Sequence, residues 1–229
     1  MRQADYKQIR ALPLFSDTSE PHFQALMAGA SLQHFLPHSV LITEGQSPEF
    51  LHVIVDGCVE MFGTHNGHET TIDIMQPGAA FILAEIIHDA VYLKSARTLG
   101  PAQLVLIPVQ AVRDAFAHDA AFARAIISEL VECYRGVVRS LKNEKLRTSA
   151  ERLANWILHT DAKQGHQHFF EMIYDKRTLA SSLGMTPENL SRNLALLTKY
   201  GVTSSGRDIA IKDPAALVKF AKPNPLIDG

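Results

Sequence analysis

Cysteine is scarce in this chain: Cys58 and Cys133 are the only two in 229 residues. Two thiols so far apart exclude a disulfide framework, a zinc ribbon and a cysteine-ligated iron–sulfur cluster. A basic, apolar leader is missing at the N-terminus, and no apolar run approaches the ~18 residues that a membrane span needs. The chain is therefore expected in the cytoplasm, with no membrane partner. Charge of one sign is also lacking, since the formal net charge is −2. What is plentiful is apolar residues, 46% against 20% charged, which excludes disorder and supplies a core for one or two domains.

The small net charge conceals an asymmetry. Residues 147–229 carry 11 Lys and Arg against 8 Asp and Glu, whereas residues 1–146 carry 11 against 16. The positive balance sits at the C-terminal end, where attraction to a polyanion would need it.

That end also holds the most informative stretch, residues 175–197. Leu179, Ala180 and Leu183 mark one face of a short helix, and Gly184 stands where the chain must reverse. Thr186-Pro187-Glu188 then opens a second helix with a hydroxyl N-cap, a proline at the first helical position and an acid in the first turn. Small Ala180 allows the two helices close approach. This is a helix-turn-helix pattern, whose second helix reads base edges in the DNA major groove. Asn193 departs from it, standing where an aliphatic residue is usual, and predicts looser packing.

Glu188, Ser191 and Arg192 share the exposed face of the second helix. Arginine can grip guanine O6 and N7 together and glutamate can accept from cytosine N4, each worth roughly 1–3 kcal/mol of discrimination. A carboxylate aimed at a polyanion makes sense as base readout, not as phosphate binding. The plainer alternative is an i,i+4 surface ion pair between Glu188 and Arg192. Lys176, Arg177 and Thr178 at the start of the first helix, with Lys199 and Arg207 beyond the second, are candidate phosphate contacts. Gly201 caps the second helix, and Ser204-Ser205-Gly206-Arg207-Asp208 turns into alternating Ile209-Ala210-Ile211-Lys212, a wing hairpin.

The first half reads as β structure. A helix from Asp17 to about Gly29, with Phe23, Leu26 and Met27 inward, precedes short apolar runs at 40–42, 51–55, 58–62, 70–74 and 104–107. Turn residues separate them, His65-Asn66-Gly67 being a strong hairpin signal. Such spacing implies a β-roll or jelly roll with an interior pocket. Helical patterning starts near Val109. Phe122, Ile126, Leu130, Cys133, Val137 and Leu141 are set apart by spacings of four and three, which predicts a coiled-coil dimer seam. Thr148-Ser149-Ala150-Glu151 is a capping box that starts a new helix after a hinge. The expected fold is thus α+β, with a β-roll over 1–110, a dimerisation helix and hinge over 111–147, and a winged helix-turn-helix over 148–229.

That order resembles the Crp/Fnr family of bacterial transcription regulators. Glu44-Gly45 followed by Leu51-His52-Val53-Ile54-Val55-Asp56-Gly57 is similar to the family's β-roll phrase, and Glu188-Asn189-Leu190-Ser191-Arg192 to the recognition string of its Fnr branch. The resemblance implies a homodimer on a TTGAT-type palindrome in double-stranded DNA, acting as an activator with RNA polymerase as partner. It implies no enzyme. Cyclic-AMP binders of the family use Gly-Glu-Leu and Arg-Ser-Ala, where this chain has Ala84-Glu85-Ile86 and Lys94-Ser95-Ala96, with Val137-Val138 in place of Thr-Ser. Backbone approach is crowded by the alanine and lysine lacks the bidentate fork, which argues against cyclic AMP. The iron–sulfur oxygen sensors need N-terminal cysteines that are missing here.

The nearest remaining likeness is to the cysteine-poor, nitric-oxide-responsive denitrification regulators, for which haem is the implied cofactor. The effector pocket is then expected around Phe81, Ile82, Leu83, Glu85, Lys94, Ser95 and Val137, with Ile86 in its apolar wall and His88 as a candidate axial ligand. Two other classes stay open. A cupin-type metalloprotein is suggested by His65, His68 and Glu69, which straddle a turn; a cyclic-nucleotide module serving an attached enzyme would need a catalytic segment. His166 and His168 read as surface loop residues.

Overall fold

Two-residue alternation in the first half and 3.6-residue periodicity in the second translate into two compact units, Met1–Tyr134 and Arg135–Gly229. The computed structural model describes residues 3–228.

The first unit starts with α1 (Gln3–Arg10) and α2 (Glu20–Ala28). Phe23, Leu26 and Met27 point into the core as expected, but the helix begins at Glu20, behind a Ser19 N-cap. Eight strands follow: β1 (Ser31–Phe35), β2 (Val40–Ile42), β3 (Phe50–Asp56), β4 (Val59–His65), β5 (His68–Met75), β6 (Ala80–Phe81), β7 (Ser95–Thr98) and β8 (Ala102–Pro108). They form two four-stranded sheets, ordered β1-β8-β3-β6 and β2-β7-β4-β5, with antiparallel pairing throughout. The β4–β5 hairpin turns at Asn66 and Gly67, both at positive φ, the conformation a two-residue hairpin loop requires. Helix α3 (Leu83–His88) interrupts the strands, entered through Ile82 at φ 68°. A β-branched residue in that region is strained.

Helices α4 (Val109–His118) and α5 (Ala120–Leu146) close the unit. They are separated by Asp119, whose buried carboxylate accepts from the backbone N–H groups of Ala121 at 2.8 Å, Phe122 at 2.9 Å and Ser19 at 2.9 Å. These bonds hold its pKa well below the usual carboxylate range. Phe122 and Ile126 then enter the core, Phe122 stacking on Phe15 with centroids 6.2 Å apart. This corrects the expected dimer seam. Its first two residues are fully buried inside their own unit and Leu130 packs against the same core, so the first half of that face is already occupied, whereas Cys133, Val137 and Leu141 of the seam are exposed. Ile127, Val131, Tyr134 and Val138 are bare on α5 as well, and with Leu141 they form a stripe also spaced four and three, about a quarter turn round the helix. It also explains why the units divide inside α5 and not at the ends of a separate 111–147 segment.

The second unit contains the last turns of α5, then α6 (Ser149–Lys163), β9 (Phe169–Glu171), α7 (Lys176–Ser182), α8 (Pro187–Leu197), β10 (Val202–Ser205), β11 (Asp208–Ile211), α9 (Pro214–Ala221) and α10 (Pro225–Asp228). The Thr148 capping box is formed in both directions, hydroxyl to Glu151 N–H and Glu151 carboxylate to Thr148 N–H. The wing is three-stranded, ordered β10-β11-β9, with one more strand than the hairpin signal indicates. His166 and His168 are exposed loop residues, as expected. Both approach the buried Asp161 carboxylate, at 3.7 and 3.1 Å, and Asp161 also accepts from the His168 N–H, which pins the turn before β9.

Candidate nucleic-acid interface and sensor cleft

Helix α8 is divided lengthwise by burial. Leu190, Asn193, Leu194 and Leu197 face the core, while Glu188, Ser191, Arg192 and Ala195 are exposed along the opposite side. Thr186 caps the helix by accepting from Asn189 N–H, and Pro187 occupies its first position. Gly184 makes the turn at φ 60°, and a Cβ there would stand 2.9 Å from Glu144 Oε1. Arg152 on α6 holds this turn by donating to the carbonyls of Leu183 at 2.9 Å and Gly184 at 3.1 Å. The predicted weak spot at Asn193 is resolved chemically: its amide donates to Ser149 Oγ at 3.0 Å and to Met185 sulfur at 3.5 Å. A buried amide with partners is held as firmly as the aliphatic residue it replaces.

The charged groups on that face are available. Glu188 is fully exposed, and its carboxyl is kept below the usual range by its own backbone N–H and by Thr186. Ser191 donates to the Pro187 carbonyl at 3.0 Å. Arg192 is exposed, and its charge also helps to hold the Glu188 carboxyl down, so the i,i+4 attraction is present alongside the exposed face. A groove of about 380 Å³ runs beside the helix, between Lys176 at the start of α7, Ser191 and Ala195 on α8, and Thr203 and Ser204 on the wing. Arg177 and Lys199 are exposed and Thr178 is half-buried. Arg207 differs from expectation. Its guanidinium donates to the Met172 and Ile173 carbonyls and lies 3.5 Å from Glu171, so it locks the wing to the segment before α7 and is not a free phosphate donor.

In the first unit the residues expected around the effector are mostly packed. Phe81, Ile82 and Leu83 are at most 4% exposed and Ile86 is fully buried, so the wall expected for an apolar effector is filled by core packing. Glu85 is buried and Lys94 half-exposed, while the Ser95 hydroxyl accepts from Glu44 N–H at 3.0 Å. Val137 lies in the second unit, 60% exposed on α5. His88 is exposed at the end of α3. Among the described residues, no three His, Cys, Asp or Glu side chains converge to hold a metal. A cleft of this unit adjoins the packed effector residues, since His52 in its wall stacks on Phe81. It measures about 610 Å³ and opens between β1, β3 and β8 of one sheet and β2 of the other. Its walls include Phe35, Val40, Ile42 and Phe50, with His52 and Tyr92 among them. The signal that could have flagged His52 is its polarity inside the continuously buried run from Leu51 to Val55.

Comparison with known proteins is consistent with this architecture. A cyclic nucleotide-binding domain model matches residues 32–119, and a Crp-like helix-turn-helix domain model matches 151–220. A comparison with curated proteins gives no match. Among solved structures, a proposed cAMP-binding regulatory protein from Silicibacter pomeroyi is 25% identical, with 97% of this chain and 100% of that one covered and a TM-score of 0.62. FixK2 from Bradyrhizobium japonicum is 20% identical over 83% and 96% of the two chains, with a TM-score of 0.73. A proposed Crp/Fnr-family regulator from Eubacterium rectale, 16% identical over 92% and 98%, gives 0.75. No helix among the described residues is long and apolar enough to cross a membrane. With a cyclic nucleotide-binding domain in front of a Crp-like helix-turn-helix domain, the chain belongs to the Crp/Fnr family of transcription regulators.

Proposed function

We propose that the chain is an effector-controlled regulator that binds a TTGAT-type palindrome as a homodimer. The observation that carries this reading is the bare face of α8, where Glu188, Ser191 and Arg192 stand exposed on a helix whose other side is fully packed. In the major groove, Arg192 would grip a guanine and Glu188 a cytosine amine, while Lys176, Arg177, Thr178 and Lys199 hold phosphates. Dimerisation is assigned to the apolar stripe Ile127, Val131, Tyr134, Val138 and Leu141, with Leu130, Cys133 and Val137 on its flank. RNA polymerase is the partner through which a regulator of this kind would activate.

The effector is a small molecule taken up by the β-roll. A nitric-oxide response through haem, which the family likeness implies, does not fit the residues present. The expected apolar wall is core, and the candidate axial ligand His88 is exposed. Cyclic nucleotide is the second reading, favoured by the domain match over 32–119. Its phosphate cradle is weak here: Ala84 replaces glycine, Lys94 replaces arginine, and the Ser95 hydroxyl is already engaged. Titration of the protein against TTGAT-N4-ATCAA duplex and against a scrambled duplex at physiological salt tests the DNA reading. Binding as a dimer, at least about 10³-fold tighter on the palindrome, is the expected result. Equal affinity for both duplexes would refute it.

A further inference from the structure

The β-roll cleft contains one feature that the core packing does not need. His52 is 4% exposed, forms part of the cleft wall, and its Nδ1 has no hydrogen-bond partner. Burial pushes its pKa down to about 4, only partly opposed by the Phe50 carbonyl, so the ring is neutral at physiological pH. It is rigidly placed. The ring stacks on Phe81 with centroids 5.1 Å apart and an 18° interplanar angle, and in the sheet His52 lies between Leu106 and Phe81. A buried polar nitrogen without a partner is costly, and here it borders a space large enough to supply one.

The rest of the cleft narrows the chemistry. Its lining is apolar at Phe35, Val40, Ile42, Phe50 and Leu106, and its polar residues, Gln46 and Ser47 among them, are uncharged apart from Glu49. No lysine or arginine is part of the lining, so phosphates and carboxylates find no counter-charge and would face the Glu49 carboxylate. A volume of about 610 Å³ is that of a pocket for a compact organic molecule. A hydroxyl both donates and accepts, so it satisfies Nδ1 in either neutral tautomer.

We propose that this cleft binds an uncharged, flat, largely apolar small molecule whose single hydroxyl pairs with Nδ1 of His52. The site is distinct from the Glu85–Lys94–Ser95 region, and the inference rests on the reading that the β-roll takes a small effector. Phe81, against which His52 stacks, directly precedes the strained Ile82 at the start of α3. An occupant would therefore press on the element of the β-roll held least comfortably.

The probe is 2-naphthol, with 2-methylnaphthalene as its hydroxyl-free counterpart, titrated against the full chain without DNA. Saturable binding of one 2-naphthol per chain is expected, with an affinity flat between pH 8 and 5.5. The ratio of 2-naphthol to 2-methylnaphthalene affinity should fall at least about tenfold in His52→Phe, as loss of one buried hydrogen bond requires. An unchanged ratio, or no saturable 2-naphthol binding to the wild type, would overturn the proposal. Should His52→Phe fail to fold, the wild type decides alone: the His52 ring ¹⁵N resonances must move with 2-naphthol and stay with 2-methylnaphthalene, and resonances indifferent to 2-naphthol would equally overturn it. Because DNA is absent, failure here leaves the palindrome reading untouched, and the converse holds.

Discussion

At the scale of single residues, the polar groups that matter are those whose partners are unusual. Arg207 is basic and lies on the wing, yet its donors are engaged by two backbone carbonyls. Arg192 is basic and exposed, with only the neighbouring Glu188 charge acting on it. Sequence position does not separate the two; partners do. His52 allows a test of burial itself. Its unfolded value is about 6.5 and its folded value about 4, so the unfolded chain binds a proton in that interval and the folded chain does not. Stability contributed by neutral His52 is therefore complete above pH 6.5 and is lost as pH falls towards 4, by about 3 kcal/mol in all. Urea unfolding of the first domain's signal across this range should show the loss in the wild type and a smaller slope in His52→Phe. Equal slopes would show that the ring is not shielded as described.

At the scale of elements, the helix-turn-helix was legible because its signals are local: the Thr186 cap, Pro187 at the first helical position and Gly184 at the turn all act within a few residues. The capping box at Thr148 was legible for the same reason. Strands β1 and β7 were not, since Ser-Leu-Gln-His-Phe and Ser-Ala-Arg-Thr have little β-branched apolar content, and pairing with β8 and with β2 and β4 makes them strands. The seam on α5 shows a subtler limit. Two faces of that helix carry four-and-three spacing, and periodicity cannot say which is covered by the chain's own core. Sedimentation velocity at micromolar concentration separates them: Tyr134→Glu should give monomers with an unchanged first-domain melting temperature. Leu130→Glu should instead lower that melting temperature, because Leu130 packs on the core beside Phe122 and Ile126. Dimers that survive Tyr134→Glu would remove the stripe from the interface.

At the scale of the whole molecule, the order of β-roll, long helix and winged helix-turn-helix was readable from composition, turn residues and one motif. The sensor cleft was not, because it is built from residues far apart in sequence, Phe35, Val40, Phe50 and Tyr92 among them, whose convergence depends on two sheets facing each other. Glu85, Lys94 and Ser95 drew attention through likeness to a phosphate cradle, a local likeness that gives no sign of the cleft walls contributed by β1, β2 and β3. Residue types that read DNA lie on one helix face and can be found by periodicity; residue types that read a small molecule are assembled by topology. The central claim is that α8 reads bases, and the measurement closest to it is the affinity of Arg192→Ala on the TTGAT palindrome and on random duplex at one salt concentration. Loss of a guanine contact predicts a fall of roughly 1–3 kcal/mol on the palindrome with little change on random DNA. An equal loss on both would mean that Arg192 touches only phosphate, and would contradict base readout by this helix.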